Sequence, residues 1–158
     1  RCRVEGIDTL VYSSDFTPHV CDLSHDRLPY EDNTVDVVTA WEVFEHLENP
    51  RFLVREVYRI LKPDGLLLIS VPNPFHIESK LQFLLHGDLP RWTSENDHYN
   101  IFTPAIFQKT FLPFSLLATR YAYPKFSSRK KILWRITKYL PLPETALWSM
   151  FVGYVLQK

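Results

Sequence analysis

An α/β fold built on a largely parallel sheet is predicted by three features of the sequence. Two apolar runs rich in branched residues, Val35–Ala40 (VDVVTA) and Leu66–Val71 (LLLISV), have the pattern of strands buried on both faces. The segment between them carries helix punctuation at both ends, and a strand, helix, strand order implies a right-handed crossover with helices packed on the sheet. The 158 residues, 46% of them apolar and 15% aromatic, supply one hydrophobic core, so a single domain over 1–158 is expected.

In chain order, Val4–Asp8 and His19–Leu23 are short, partly apolar segments with an acid at or near their ends, and both read as strands. VDVVTA follows as the third. Asn49 is suited to cap the next helix, and Pro50 fits its first turn, where a missing N–H costs nothing. Leu53, Val57, Ile60 and Leu61 then recur at helical spacing until Pro63 and Gly65 stop the helix. After LLLISV, Ile77, Leu81, Leu84 and Leu85 form a second apolar stripe ending before Gly87, and Thr103 with Pro104 opens a third helix carrying Ile106, Phe107 and Phe111. Phe114–Tyr123 and Trp148–Leu156 read as late strands. Between them, Ile132–Leu140 reads as a short basic amphipathic helix, and 124–147 as a lid or amphipathic insertion.

Charge is unevenly distributed although the formal sum is zero. Residues 1–97 hold 17 of the 18 acidic groups against nine basic ones, whereas 98–143 hold eight Lys or Arg and no carboxylate. Such a region suits an anionic partner, and the basic segment 125–140 with Trp134 suits peripheral contact with an anionic membrane. No run approaches the ~18 apolar residues of a membrane span, and RCRVEGID lacks a signal-peptide pattern, so a cytoplasmic location is expected. Two cysteines are too few for a disulfide scaffold or a zinc site of their own. The six histidines show no paired spacing of the metal-binding kind, so no metal site is expected.

Ligands of open parallel sheets bind outside the carboxyl ends of the strands. Asp8, Asp22, the stretch Trp41–Glu45 and Asn73 each follow a strand and should line one edge. The ordered segments GID, CDLSHDRLPYEDNTVDVVTAWEVFEHLENP and REVYRILKPDGLLLISVPN resemble the class I S-adenosylmethionine-dependent methyltransferases of the type 11 and type 12-like small-molecule branch. The resemblance is strong over 4–73 and weaker over 96–112. It implies a Rossmann-like, mostly parallel sheet with helices on both faces and an antiparallel last strand, a role for Trp148–Leu156. By position, Asp8 matches the acid that grips both ribose hydroxyls of S-adenosylmethionine. Asp22 matches the acid that accepts from the adenine amino group, with Leu23 beside the ring. Ala40, Trp41 and Glu42 match the loop against the methionine part, where an aromatic ring can pack beside the sulfonium. His46 matches a family histidine near the crevice, able to orient a loop or act as a base.

The resemblance further implies methyl transfer to a small-molecule acceptor, with His98 of NDHYNIF as the candidate base and Asn73 and Tyr99 positioning the acceptor. No nucleic-acid partner is expected, because the chain has AWEV where base methylators carry an Asn/Asp-Pro-Pro-aromatic tetrad. One departure is large. The family's glycine-rich turn has no counterpart among the isolated Gly6, Gly65, Gly87 and Gly153, so a first strand, that loop and a helix are expected upstream of Arg1. This departure motivates the alternative of a noncatalytic methyltransferase-like module. A smaller one is Asp64, where the family's PxG turn usually has glycine. A nicotinamide-dependent oxidoreductase, which also places an acid after its second strand, is disfavoured by EVFEHL and the DL pair.

Overall fold

The computed structural model describes residues 5–8, 19–122, 146–147 and 149–158. Strands β1 (Ile7–Asp8) and β2 (His19–Val20) pair in parallel, with Asp8 opposite Val20. A second sheet contains β3 (Val35–Trp41), β4 (Leu61–Pro72), β5 (Ser115–Ala122) and β6 (Phe151–Gln157) in the order β3-β4-β6-β5. β3 and β4 are parallel, while β6 runs antiparallel to both its neighbours, so the last strand is the reversed one, as expected. The other edge of β3 has no strand partner among the described residues.

Helix α1 (Pro50–Ile60) forms for the reasons its sequence gives. The Asn49 side chain accepts from the Phe52 N–H at 3.2 Å, Pro50 occupies the first turn, and Leu53, Val54, Val57 and Ile60 are buried. Leu61 ends it by turning extended, so β4 begins directly, earlier than the Leu66 expected. The intervening Lys62–Gly65 turn explains both the family glycine and its replacement. Asp64 has φ +64°, in the left-handed region, while a Cβ on Gly65 would lie 2.9 Å from the Lys62 carbonyl oxygen. Asp64→Gly is therefore expected to stabilise the chain by ~0.5–1 kcal/mol, and Asp64→Val to destabilise it by about 1 kcal/mol or more, since a β-branched side chain is the least tolerant of this conformation. Thermal melts of the two variants should shift in opposite directions; equal shifts would dismiss the backbone explanation.

Helix α2 (Ile77–His86) ends at Gly87 in the left-handed conformation, φ 74°. Its expected apolar stripe is not a buried face. Leu81, Leu84 and Leu85 are 52, 79 and 73% exposed, and only Ser79 is buried. The segment is helical as its period predicts, but periodicity cannot say what an apolar face packs against. Helix α3 (Pro104–Thr110) opens with the Thr103 hydroxyl accepting from the Ile106 N–H at 3.3 Å.

The core lies on one face of the larger sheet. Leu67, Ile69 and Val71 alternate along β4, their cross-strand neighbours Leu156, Tyr154 and Val152 point the same way, and the apolar faces of α1 and α3 cover them. Phe107 stacks on Tyr154 at 3.8 Å between ring centroids, and Phe111 joins Phe44, Phe102 and Phe107. On the opposite face, Trp41, Leu68, Ser70, Arg120, Phe151 and Gly153 line a concavity of about 420 Å³. The expected helix at Ile132–Leu140, and with it the lid reading of 124–147 and the membrane reading of 125–140, falls almost wholly outside the described residues. No described helix is long and apolar enough to cross a membrane.

Candidate functional site

Parallel pairing carries the carboxyl ends of β3 and β4 to one edge, and the turn after β3 is built there. Trp41, the last residue of β3, is 57% exposed and so is not a core residue. Glu42 follows with φ +53°, a conformation costly for glutamate and held by neighbours on β4. Its N–H donates to the Ser70 carbonyl at 3.2 Å and to the Ser70 hydroxyl at 3.1 Å, and that hydroxyl donates to the Glu42 carboxylate at 2.7 Å. Burial raises the Glu42 carboxyl above the ordinary carboxylate range, while Arg91, 3.9 Å away, opposes the rise. Ala40 points the other way and packs against the core, so of the expected pair Ala40 and Trp41 only the latter has its side chain at the cleft.

The chain then makes a single 3-10 turn, Phe44–His46, with Phe44 and Glu45 wholly buried. Among the described residues neither carboxylate oxygen of Glu45 makes a hydrogen bond of ordinary geometry, though the Glu42 carboxyl lies close enough to interact with it, and burial, with that neighbouring carboxylate, pushes the Glu45 carboxyl up to about 8. His46 approaches Asp97 through Nδ1, at 3.2 Å from the carbonyl oxygen and 3.1 Å from the carboxylate. Segment 97–100 is thereby tied to the turn, and the Tyr99 and Asn100 N–H groups reinforce this by donating to the Glu45 carbonyl at 2.8 and 3.0 Å. The Asn100 amide adds donations to the Phe44 and Leu47 carbonyls.

This docking sets His98 against His46, 4.6 Å between ring centroids, with Trp92 at 6.0 Å. Burial, then the neighbouring His46 ring, lowers the His98 pKa, which suits a base. One side of the ring is closed: His98 Nδ1 is buried without a hydrogen-bond partner among the described residues, so a base role would fall to Nε2. Asn73 is not free to position an acceptor. It is 2% exposed, its amide donates to the Ala146 and Ser149 carbonyls at 2.6 Å each, and its oxygen accepts from the Phe75 N–H at 2.9 Å. Both donors are spent in fastening the end of β4 to the start of β6. Tyr99 is 67% exposed on the same docked segment.

At the smaller sheet, Asp8 ends β1 on the edge where β2 leads to Asp22; the Asp8 side chain lies outside what is described. Asp22 organises its own turn. Its carboxylate accepts from the Ser24 N–H at 2.8 Å and meets His25 Nδ1 at 3.0 Å, and these bonds hold its pKa below the ordinary range. It remains 55% exposed, with lone pairs to spare. Leu23 packs partly against the core. Sequence reasoning includes Glu45 only as the end of the stretch Trp41–Glu45 and does not single out Ser70 or Arg91. Nothing in the residue order signals that Glu45 would be a wholly buried member of that stretch.

Comparison with known proteins is consistent with this layout. A probable S-adenosylmethionine-dependent methyltransferase of Mycolicibacterium smegmatis is 38% identical over 78 residues, 45% of this chain and 30% of its own length. A glycine/sarcosine/dimethylglycine N-methyltransferase of Actinopolyspora halophila is 37% identical over 70 residues, 44% of this chain and 11% of its own. The chain thus spans less than a third of the length of these relatives. A S-adenosylmethionine-dependent methyltransferase structure from Archaeoglobus fulgidus superposes with a TM-score of 0.57 at 16% identity, covering 91% of this chain and 68% of that one, a likeness of fold. The family model described as a methyltransferase domain matches residues 1–111, well over half of the sequence, and the chain belongs to that family.

Proposed function

We propose that the chain forms the adenosyl-binding side of an S-adenosylmethionine-dependent methyltransferase acting on a small-molecule acceptor. The observation that carries this reading is the Trp41–Glu42 turn, a strained backbone with an exposed aromatic, braced by Ser70 at the carboxyl edge of two parallel strands. Relatives whose names specify methylation of glycine derivatives support an acceptor of that size class.

Methyl transfer is an in-line displacement. The sulfur–carbon bond breaks as the acceptor–carbon bond forms, the electron pair stays on sulfur, and the acceptor loses a proton. Alignment and exclusion of water are then the protein's main work, with no covalent nucleophile. In this reading Asp8 and Asp22 hold the nucleoside, Trp41 packs beside the sulfonium, and Tyr99 meets the acceptor at the rim.

Calorimetric titration with S-adenosylmethionine and S-adenosylhomocysteine tests the reading. The chain's glycines are isolated, so weak binding is expected and the titration must extend to millimolar ligand. Asp22→Ala should weaken both ligands, whereas Trp41→Ala should weaken the cationic donor by about tenfold and its neutral product by less, because only the sulfonium gains from the ring face. Absence of saturable binding to the unaltered chain would overturn the adenosyl-binding reading in favour of a methyltransferase-like module that does not hold the donor.

A further inference from the structure

We propose that Glu45, His46 and His98 form a binding site for one divalent first-row transition cation of the zinc or manganese type, which clamps the 3-10 turn to segment 97–100. One donor atom from each residue lies within 4.8 Å of the other two. Unsatisfied atoms converge there. Glu45 is 0% exposed, and among the described residues neither of its carboxylate oxygens makes a hydrogen bond of ordinary geometry and the buried His98 Nδ1 has no partner. Buried polar atoms are ordinarily satisfied, and here the unsatisfied ones belong to two of the three residues whose donor atoms gather, a set that a cation, unlike any single hydrogen-bond donor, answers together.

The third ligand is already oriented. His46 directs Nδ1 at the Asp97 carbonyl and carboxylate, an arrangement that fixes the proton on Nδ1 and leaves the Nε2 lone pair, 3.9 Å from Glu45 Oε1, facing the site. A carboxylate or carbonyl behind a ligating imidazole is the usual outer partner of a metal-bound histidine. Ligands around a tetrahedral zinc sit about 3.3 Å apart, so donors that lie within 4.8 Å of one another need to close by up to about 1.5 Å, a matter of side-chain rotation. Two imidazoles and one carboxylate favour a transition cation over calcium or magnesium, which prefer oxygen, and three protein ligands leave an outer position for water. The remaining described histidines offer no rival: His25 is an exposed partner of Asp22, and no other described His, Cys, Asp or Glu group meets the same geometric test.

The test is metal uptake by the full chain after chelator treatment, with Zn²⁺ followed by calorimetry and Co²⁺ by its ligand-field absorption. One ion per chain is expected. Glu45→Gln, which preserves volume while deleting a ligand charge, and His98→Ala should each weaken binding by about 100-fold or more. Asp97→Asn should weaken it by about 10–100-fold through the His46 ring, and His25→Ala should leave it unchanged. Failure of the folded, unaltered chain to take up either ion would overturn the proposal. So would uptake indifferent to Glu45→Gln and His98→Ala in variants whose melts show them folded. The readout uses neither methyl donor nor acceptor, so its failure leaves the methyl-transfer reading standing, and absent S-adenosylhomocysteine binding leaves the cation site standing.

Discussion

Phe111→Ala is expected to destabilise the chain by about 4 kcal/mol, lowering the thermal midpoint by about 8–16 °C. Phe111 is 2% exposed and sits at the hub of an aromatic cluster, 5.0 Å from Phe44, 4.6 Å from Phe107 and 6.1 Å from Phe102 between ring centroids. Truncation removes the transfer free energy of a buried ring, opens a cavity among rings that cannot collapse into it, and forfeits edge and stacking contacts. The loss is not confined to the core. Phe44 belongs to the turn that carries Glu45 and His46, so the Phe44–Phe111 contact holds the site against α3. A double-mutant cycle between Phe44→Leu and Phe111→Leu should report a coupling of ~0.5–1.5 kcal/mol. Additive losses, or a Phe111→Ala cost below about 1 kcal/mol, would show that the cluster does not join the turn to the helix.

Much of this architecture was legible in the sequence because it is set by local chemistry. Asn49 and Pro50, Thr103 and Pro104, and Gly87 mark helix ends through bonds made within three or four residues, and each does so in the structure. The parallel pairing of β3 with β4 was legible too, since apolar runs joined through a helix leave few other arrangements. The antiparallel last strand came from family resemblance rather than periodicity, and β6 runs that way. What local chemistry does not determine is the partner of each surface. The exposed stripe of α2 and the burial of Asn73 both depend on which distant backbone arrives: Asn73 is consumed by carbonyls at 146 and 149.

The site followed the same division. Strand-end positions such as Trp41 and Asp22 could be placed from order alone, because strands end where their apolar runs end. His46 and His98 are 52 positions apart in the numbering, and their ring contact exists only because backbone N–H groups of Tyr99 and Asn100 dock on the Glu45 carbonyl. Searching for metal-type spacing along the sequence cannot see such a pair. A buried acid in an otherwise polar motif is equally invisible, since EVFEHL reads the same whether its second glutamate faces solvent or core.

Arg59→Met should cost about 3 kcal/mol, because Arg59 is the fastening between α1 and the loop that leads into β3. The guanidinium, 15% exposed, donates to the Leu28 carbonyl at 3.1 Å and the Tyr30 carbonyl at 2.8 Å, and pairs with Glu56 at 2.7 Å and Asp32 at 2.8 Å. Glu56 extends the network by accepting from the Leu28 N–H at 3.0 Å. Methionine fills the stem's volume but takes the guanidinium away from two carbonyls, of which that of Leu28 keeps the Tyr30 N–H at 2.8 Å, and removes the cation from a largely buried carboxylate left with the Leu28 N–H. Lysine should rescue little, since one ammonium cannot reproduce the fork. The pH dependence distinguishes this account from lost packing. Arg59 holds the Glu56 carboxyl below its ordinary value of 4.5, and Asp32 is lowered by the same partner. A carboxylate with a depressed folded pKa contributes stability that is present above its unfolded value and lost as pH falls through the folded one. The unaltered chain should therefore lose stability on acidification below about pH 4.5, and the Arg59→Met variant should show a shallower acid limb in denaturant midpoints measured across that range. A variant as acid-sensitive as its parent would mean that the two carboxylates are held by something other than this guanidinium.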